Sequence, residues 1–195
     1  MKKYELTAEF IEKWGKKLFR IKALISFGSV EAGELGGYVE KEDNLAQNGN
    51  AWVCGNAEVY GNARVCGNAR VCGNAEVCGD ARVCGNARVY GDAEVCGDAR
   101  VCGNARVCGN ADYLLIGRIG SRFSFTTFFK NKDKGITVSC GCFLGTIAEF
   151  RAKVTDTHGN NKHAKIYNLA ADMAELQILG EEHFDKLNTN KSEPF

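Results

Sequence analysis

The chain has 195 residues, 45% of them hydrophobic and 25% charged, with a formal net charge of +1 and a single proline. That balance argues against long disorder and against a bulk polycation, so any attraction to a polyanion must come from local arrangement. No apolar run approaches membrane-spanning length. The start, MKKYELTAEF, has no apolar stretch behind its lysines, so a signal peptide is not expected and a cytoplasmic protein with no membrane partner is.

Residues 1–48 read as an N-terminal cap. Thr7 to Lys17 has the spacing of a short helix, with Phe10, Ile11, Trp14 and Leu18 on or near one side. LFRIKALISF, residues 18–27, reads as a strand. GELGGYVEKEDNLAQ then approaches the register of the segment that follows, with Gly37 and Val39 in its Ala and Val slots. Gly28 and Gly33 have the spacing of a phosphate loop. Glu34 and Leu35 stand where Lys and Ser/Thr are needed, which excludes it.

Residues 49–114 repeat one six-residue unit, Gly-Asn/Asp-Ala-x-Val-Cys/Tyr, ten times without a break. An eleventh copy begins at Gly109 and decays into Tyr113 and Leu114. A fixed period is the first thing to explain in any sequence. Within each unit Ala and Val share one face and x points the other way, as in a very short strand. Gly followed by Asn or Asp supplies a corner, because these residues tolerate left-handed backbone angles. The x positions run Trp52, Glu58, Arg64, Arg70, Glu76, Arg82, Arg88, Glu94, Arg100, Arg106, Asp112. Acids recur at every third unit, so three units per turn is the simplest arrangement, with one acidic side and two basic ones.

Here the sequence resembles the hexapeptide-repeat, left-handed β-helix family, through an aliphatic residue followed four places later by a small one: Val53 to Ala57, Val59 to Ala63 and onward. The resemblance implies a mainly β fold, a triangular prism of stacked coils, and oligomers that are typically trimers. The opening LFRIKAL and GELGGYVEKEDNL also resembles repeat proteins of bacteriophages and prophages, over residues 1–114. Acyltransferases of the family use a His on the prism as general base, and related anhydrases bind zinc with three. The histidines of this chain, His158, His163 and His183, all lie beyond the coil. The fold is therefore expected without that chemistry. The repeat also contains no Thr, so it does not resemble an ice-binding array.

Residues 115–180 read as a small α+β domain. YLLIGRI, FSFTTFF and ITVSCGC have strand character. Thr146 with Glu149 is a capping box opening a helix over GTIAEFRAKVTDTHG. A second helix is expected from Asn161 to Leu179, followed by a loose tail, 181–195. Its GCFLGTIAEF and THG resemble C-terminal domains of phage proteins, a resemblance that implies no chemistry.

Three constellations are candidates for function. Eight cysteines share one repeat slot with Tyr60 and Tyr90. Stacked coils about 4.8 Å apart would bring them within disulfide range. In a cytosolic protein they read as reduced, moderately apolar thiols, with a metal-binding ladder as the other possibility. Cys140 and Cys142, with His158 and His163, have the donors of a tetrahedral zinc site, but the intervals are not those of a zinc finger and His158 more simply ends a helix; no metal or cofactor is expected. The charge columns are Arg64, Arg82 and Arg100; Arg70, Arg88 and Arg106, headed by Trp52; and Glu58, Glu76, Glu94 and Asp112. They read either as a solvated surface or as an interaction surface. The expectation is a non-enzymatic phage-type binding or assembly protein, whose partner is itself (a trimer or dimer) or a host protein or polyanion, with interference in host defence as one role. The alternatives are an enzyme or small-ligand binder around Cys140, Cys142 and His158, and an inert spacer.

Overall fold

The computed structural model describes residues 1–181, so the segment beyond, including most of the expected tail and His183, lies outside the described residues. The chain divides into two compact units, Met1–Asn110 and Ala111 onward.

The first unit opens with strands β1 (Tyr4–Lys13), β2 (Lys16–Ala23) and β3 (Leu35–Val39). The helix expected over Thr7–Lys17 is not formed. Trp14 and Gly15, both at positive φ (52° and 74°), make a two-residue turn that pairs Lys13 with Lys16. Such primed turns suit the twist of a hairpin, and this one outweighs the helical spacing of Phe10, Ile11 and Leu18. β2 also starts earlier and ends earlier than the stretch 18–27.

Ten two-residue strands follow, β4 to β13: Trp52–Val53, Glu58–Val59, Arg64–Val65, Arg70–Val71, Glu76–Val77, Arg82–Val83, Arg88–Val89, Glu94–Val95, Arg100–Val101 and Arg106–Val107. The first seven each pair in parallel with the strand eighteen residues on, Val59 opposite Val77 and Val77 opposite Val95, for example. Three stacks result: β5-β8-β11, β4-β7-β10-β13 and β6-β9-β12. The whole is a β-solenoid of about four turns. Backbone bonds tie successive turns, such as Glu58 N to Ala75 O at 2.9 Å.

The repeat encodes this directly. Every Ala from Ala51 to Ala105 and every Val from Val53 to Val107 in register is fully buried. Burying one Val stabilises by roughly 1.5–3 kcal/mol, so the ladders supply the core. The corner glycines hold positive φ, and at Gly79 (67°) a Cβ would lie 2.8 Å from Gly97 N. Coils could not stack this closely with a larger residue there.

The cap continues the coil. β3 pairs in parallel with β5, Val39 opposite Val59, and β1-β2-β3 extend the β5-β8-β11 stack into one sheet. Gly37 does stand in an Ala slot, but a Cβ there would meet Ala57 O at 2.5 Å. Buried Asn44 donates to Ala63 O at 2.8 Å. Lys3, also buried, donates to Ala51 O at 2.9 Å, and burial pulls its ammonium down to about 8.

The second unit is an antiparallel sheet in the order β14 (Tyr113–Ile119), β15 (Ser124–Lys130), β16 (Ile136–Cys140), β17 (Phe143–Thr146), followed by α1 (Ile147–His158) and α2 (Lys162–Leu179). Four strands form where three were expected. Gly141, at φ 61°, and Cys142 make a tight turn that returns Phe143 opposite Cys140. The capping box is present: Thr146 Oγ1 accepts from Glu149 N at 3.2 Å, and Glu149 Oε2 accepts from Thr146 N at 2.8 Å. Asn161 caps α2 by accepting from His163 N and Ala164 N. The core joins Phe128, Val138, Phe150, Val154, Tyr167 and Ala171.

Candidate functional site

The strand alternation that buries Val turns the x residues outward, and the three stacks sort them by charge. Arg64 lies opposite Arg82, and Arg82 opposite Arg100. Arg70 lies opposite Arg88, and Arg88 opposite Arg106. Glu58, Glu76 and Glu94 form the remaining column.

Two members assigned to these columns from the sequence do not belong to the surface. Trp52, opposite Arg70, is fully buried. The N-terminal segment folds over it, with the Phe27 ring 5.4 Å and the Tyr4 ring 6.4 Å away, both edge-on. Asp112 is no continuation of the acidic column. Its copy of the repeat lacks the Val, so the chain leaves the coil in a one-turn 3-10 helix, Asn110–Asp112. Asp112 lies in the second unit and pairs with Lys130 Nζ at 2.9 Å. Asn110 Oδ1 accepts from Glu94 N at 2.7 Å, which satisfies an amide on the last turn.

The acidic column is partly occupied from within. Lys13 Nζ, from β1, reaches Glu58 Oε2 at 2.6 Å and Glu76 Oε2 at 2.5 Å. Tyr60 also donates to Glu76. Burial works against ionisation of Glu76, but the bonds from Lys13 and Tyr60 outweigh it and hold the carboxyl below its ordinary value. Lys13 is raised: burial opposes this, and the two carboxylates prevail.

The two basic columns differ in their surroundings. The concavity along Arg64 and Arg82 also includes Glu42 and Asp43, and an adjoining one includes Asp43 and Asp80. The shallow groove of about 370 Å³ along Arg70, Arg88 and Arg106 is completed by Cys54, Cys72, Val89 and Tyr90, with no carboxylate among the described residues. Arg70 Nη1 donates to Ser29 Oγ at 2.6 Å, which steadies one end. The corner between the two Arg columns carries only amides, with Asn50 donating to Asn68 (3.1 Å) and Asn68 to Asn86 (3.0 Å). The acids Asp80, Asp92 and Asp98 sit at the other corners, those that flank the Glu column. Among the described residues the six arginines thus flank a corner of amides without a carboxylate, a feature that the choice of Asn or Asp at each corner carries in the sequence.

The thiols stack as their slot requires. Cys54 and Cys72 form a disulfide with Cα atoms 4.6 Å apart, which corrects the expectation of uniformly reduced thiols. The spacing of the coils itself brings such a pair together. Cys84 and Cys102 approach to 3.0 Å, and Cys78 and Cys96 to 2.9 Å, as free thiols. The bond with Cys102, helped by Arg82 and Arg100, brings the Cys84 thiol down to about 7.

In the second unit Cys140, Cys142 and His158 line one cleft, together with Arg122, Lys153 and Tyr167, which the sequence reading did not single out. His163 is outside that lining, its ring 5.8 Å from that of His158. Among the described residues, no group of three or more His, Cys, Asp or Glu side chains is arranged to hold a metal ion.

Geometry and pattern together define a β-solenoid repeat protein. Residues 57–73, 63–80, 81–97 and 99–111 match the model of the YdcK beta solenoid repeat. The match concerns the coil alone. No curated protein matches the chain. Among the described residues, no helix is long and apolar enough to cross a membrane.

Proposed function

We propose that this is a non-enzymatic binding protein that presents the Arg70, Arg88 and Arg106 groove to an extended polyanion, a strand of nucleic acid being the form that fits it best. The observation that carries this reading is a groove with three stacked arginines and one aromatic ring whose lining, among the described residues, contains no carboxylate. Guanidinium groups about 4.8 Å apart repel one another, an arrangement that an anionic partner relieves. Arginine forks suit phosphate oxygens. Tyr90 lines the same groove, and an aromatic ring beside a basic track is the makeup of single-strand binders. The coil carries no His, which supports a role without acyl transfer or zinc-dependent hydration.

The eighteen-residue pairing supports three hexads per coil, and the resemblance to hexapeptide-repeat proteins supports a left-handed one. Resemblance of residues 1–114 to phage and prophage proteins supports a host macromolecule as the target and a cytoplasmic setting. Fluorescence anisotropy with a labelled single-stranded oligonucleotide, measured across salt concentrations, tests the reading. The expected result is saturable binding whose affinity falls with salt, by about 0.7 in log K per log salt for each phosphate contacted. Binding indifferent to salt, or none at low salt, would refute it.

Self-association is a second reading, favoured by one observation. α2 exposes Ile166, Leu169, Met173 and Leu176, whose spacing of three, four and three residues makes a stripe suited to the same helix of a second copy. The alternative of Glu column against Arg column is weakened by Lys13, which already engages Glu58 and Glu76. Light scattering on Leu169→Lys should show a lower mass than wild type. Equal masses would remove this reading.

A further inference from the structure

The second unit contains a cleft of about 230 Å³ that the polyanion groove does not use. Its inner wall is aromatic. Phe150 meets Phe143 at 5.6 Å and Tyr167 edge-on at 5.6 Å. The His158 ring stacks on Tyr167 at 5.7 Å. Tyr167 is fixed in place, since its hydroxyl occupies the space where a Cβ on Gly120 would be. Burial pushes that hydroxyl up to about 12, so it stays protonated. Cys140, on the floor, lies 3.2 Å from the hydroxyl of buried Thr126.

The rim has the opposite character. Arg122 and Lys153 both line the cleft and are exposed. The Arg122 guanidinium lies beside the Gly141 turn, 3.9 Å from where a Cβ there would be. Two cations of this unit are held by carboxylates away from the cleft, Lys130 by Asp112 and Arg151 by Asp172 and Glu175. Among the described residues, neither Arg122 nor Lys153 forms an ion pair. An apolar wall with a few convergent polar groups is the usual makeup of a small-molecule site. Two cations at the mouth specify the charge of what enters.

We propose that this cleft binds a small organic anion: one flat apolar ring against Phe143 and Phe150, with its carboxylate or phosphate between Arg122 and Lys153. The volume is below the roughly 300–1,000 Å³ of sites for drug-sized ligands, which limits the occupant to about one ring. The ring supplies the apolar burial and the anion fixes orientation through charge-assisted bonds. This inference rests on different residues from the groove of the first unit, and either can fail alone.

The test is a titration of the full-length protein, followed by backbone amide NMR, with four probes: benzoate, phenyl phosphate, benzyl alcohol and inorganic phosphate. Benzoate or phenyl phosphate should shift the amides of Gly141, Cys142 and Lys153 in a saturable way. Benzyl alcohol, which lacks the charge, and inorganic phosphate, which lacks the ring, should each bind at least about tenfold more weakly. Arg122→Gln and Lys153→Gln replace exposed side chains, so both variants should fold, and each should weaken the ring-bearing anion by about tenfold. The proposal is overturned by equal binding of benzyl alcohol, by equal binding of inorganic phosphate, by affinity unchanged in both variants, or by no shift at millimolar probe. The carboxylate and phosphate arms show which anion the site prefers.

Discussion

The two units solve the problem of burying a core in opposite ways. The solenoid fills its interior with Ala and Val repeated in register. It leaves no choice of side chain inside, so everything distinctive about it lies on the outer faces. The second unit packs Phe128, Phe150 and Tyr167, residues of different shape from different elements, and the poorer fit of large rings leaves a cleft at its edge. A repeat therefore offers extended surfaces, and a mixed core offers a pocket. The kind of ligand proposed for each unit follows from that difference.

Damage to the cores is the sharpest way to break the comparison. Val83 is fully buried and stacks between Val65 and Val101. Val83→Asp puts an unpaired charge into a ladder with no polar partner, and should cost more than about 4 kcal/mol in chemical denaturation. Phe150→Ala, in the second unit, should cost about 3–5 kcal/mol through the cavity it leaves. Hydrogen exchange on each variant should show loss of protection in its own unit. Loss spread equally over both units would mean that they fold as one, and the comparison would fail.

A smaller effect is expected where the cap grips the acidic column. Lys13→Met removes the cation between Glu58 and Glu76, and should lower stability at neutral pH by about 2 kcal/mol. The pH dependence has a definite sign. Glu76 is held below its ordinary value of 4.5, so its contribution is complete above that value and is lost as pH falls through the lower folded one. Wild type should therefore lose stability on acidification more steeply than Lys13→Met. Parallel acid limbs would show that the contact is solvated decoration.

The smallest effect concerns the helix that closes the cleft. Thr146→Ala removes the side chain that caps α1 and should cost about 1 kcal/mol in thermal or chemical unfolding. It should leave the first unit's hydrogen exchange unchanged.

How far the sequence could be read tracks the same division. In the coil each residue's role recurs, so the Ala and Val ladders, the corners and the Arg columns were legible before any coordinates. The capping box at Thr146 and Glu149 was legible too, because capping is local chemistry, whereas Asn161, expected as the first residue of α2, proves to be its cap. What was missed depends on contacts between distant segments. The Trp14-Gly15 turn made a hairpin of a helix-like pattern, and that hairpin brought Lys13 onto Glu58 and Glu76. Trp52 fits the outward slot by position, but Phe27 and Tyr4 cover it. Asp112 fits by period, yet the chain has already left the coil in the 3-10 helix Asn110–Asp112. The cleft drew Cys140, Cys142 and His158 from the sequence, whereas Arg122, Lys153 and Tyr167 come from a loop and two helices with no shared motif.

The central claim is that the three-arginine groove, and not basic charge in general, binds a polyanion. Two triple variants with the same change in net charge separate these ideas: Arg70→Gln/Arg88→Gln/Arg106→Gln, and Arg64→Gln/Arg82→Gln/Arg100→Gln. Their affinities for one single-stranded oligonucleotide at fixed salt should differ. The first should lose most of the binding and lower the salt slope by about two, as three phosphate contacts disappear. The second, whose column is bordered by Glu42, Asp43 and Asp80, should lose far less. Equal losses in the two variants, or none in the first, would contradict the account.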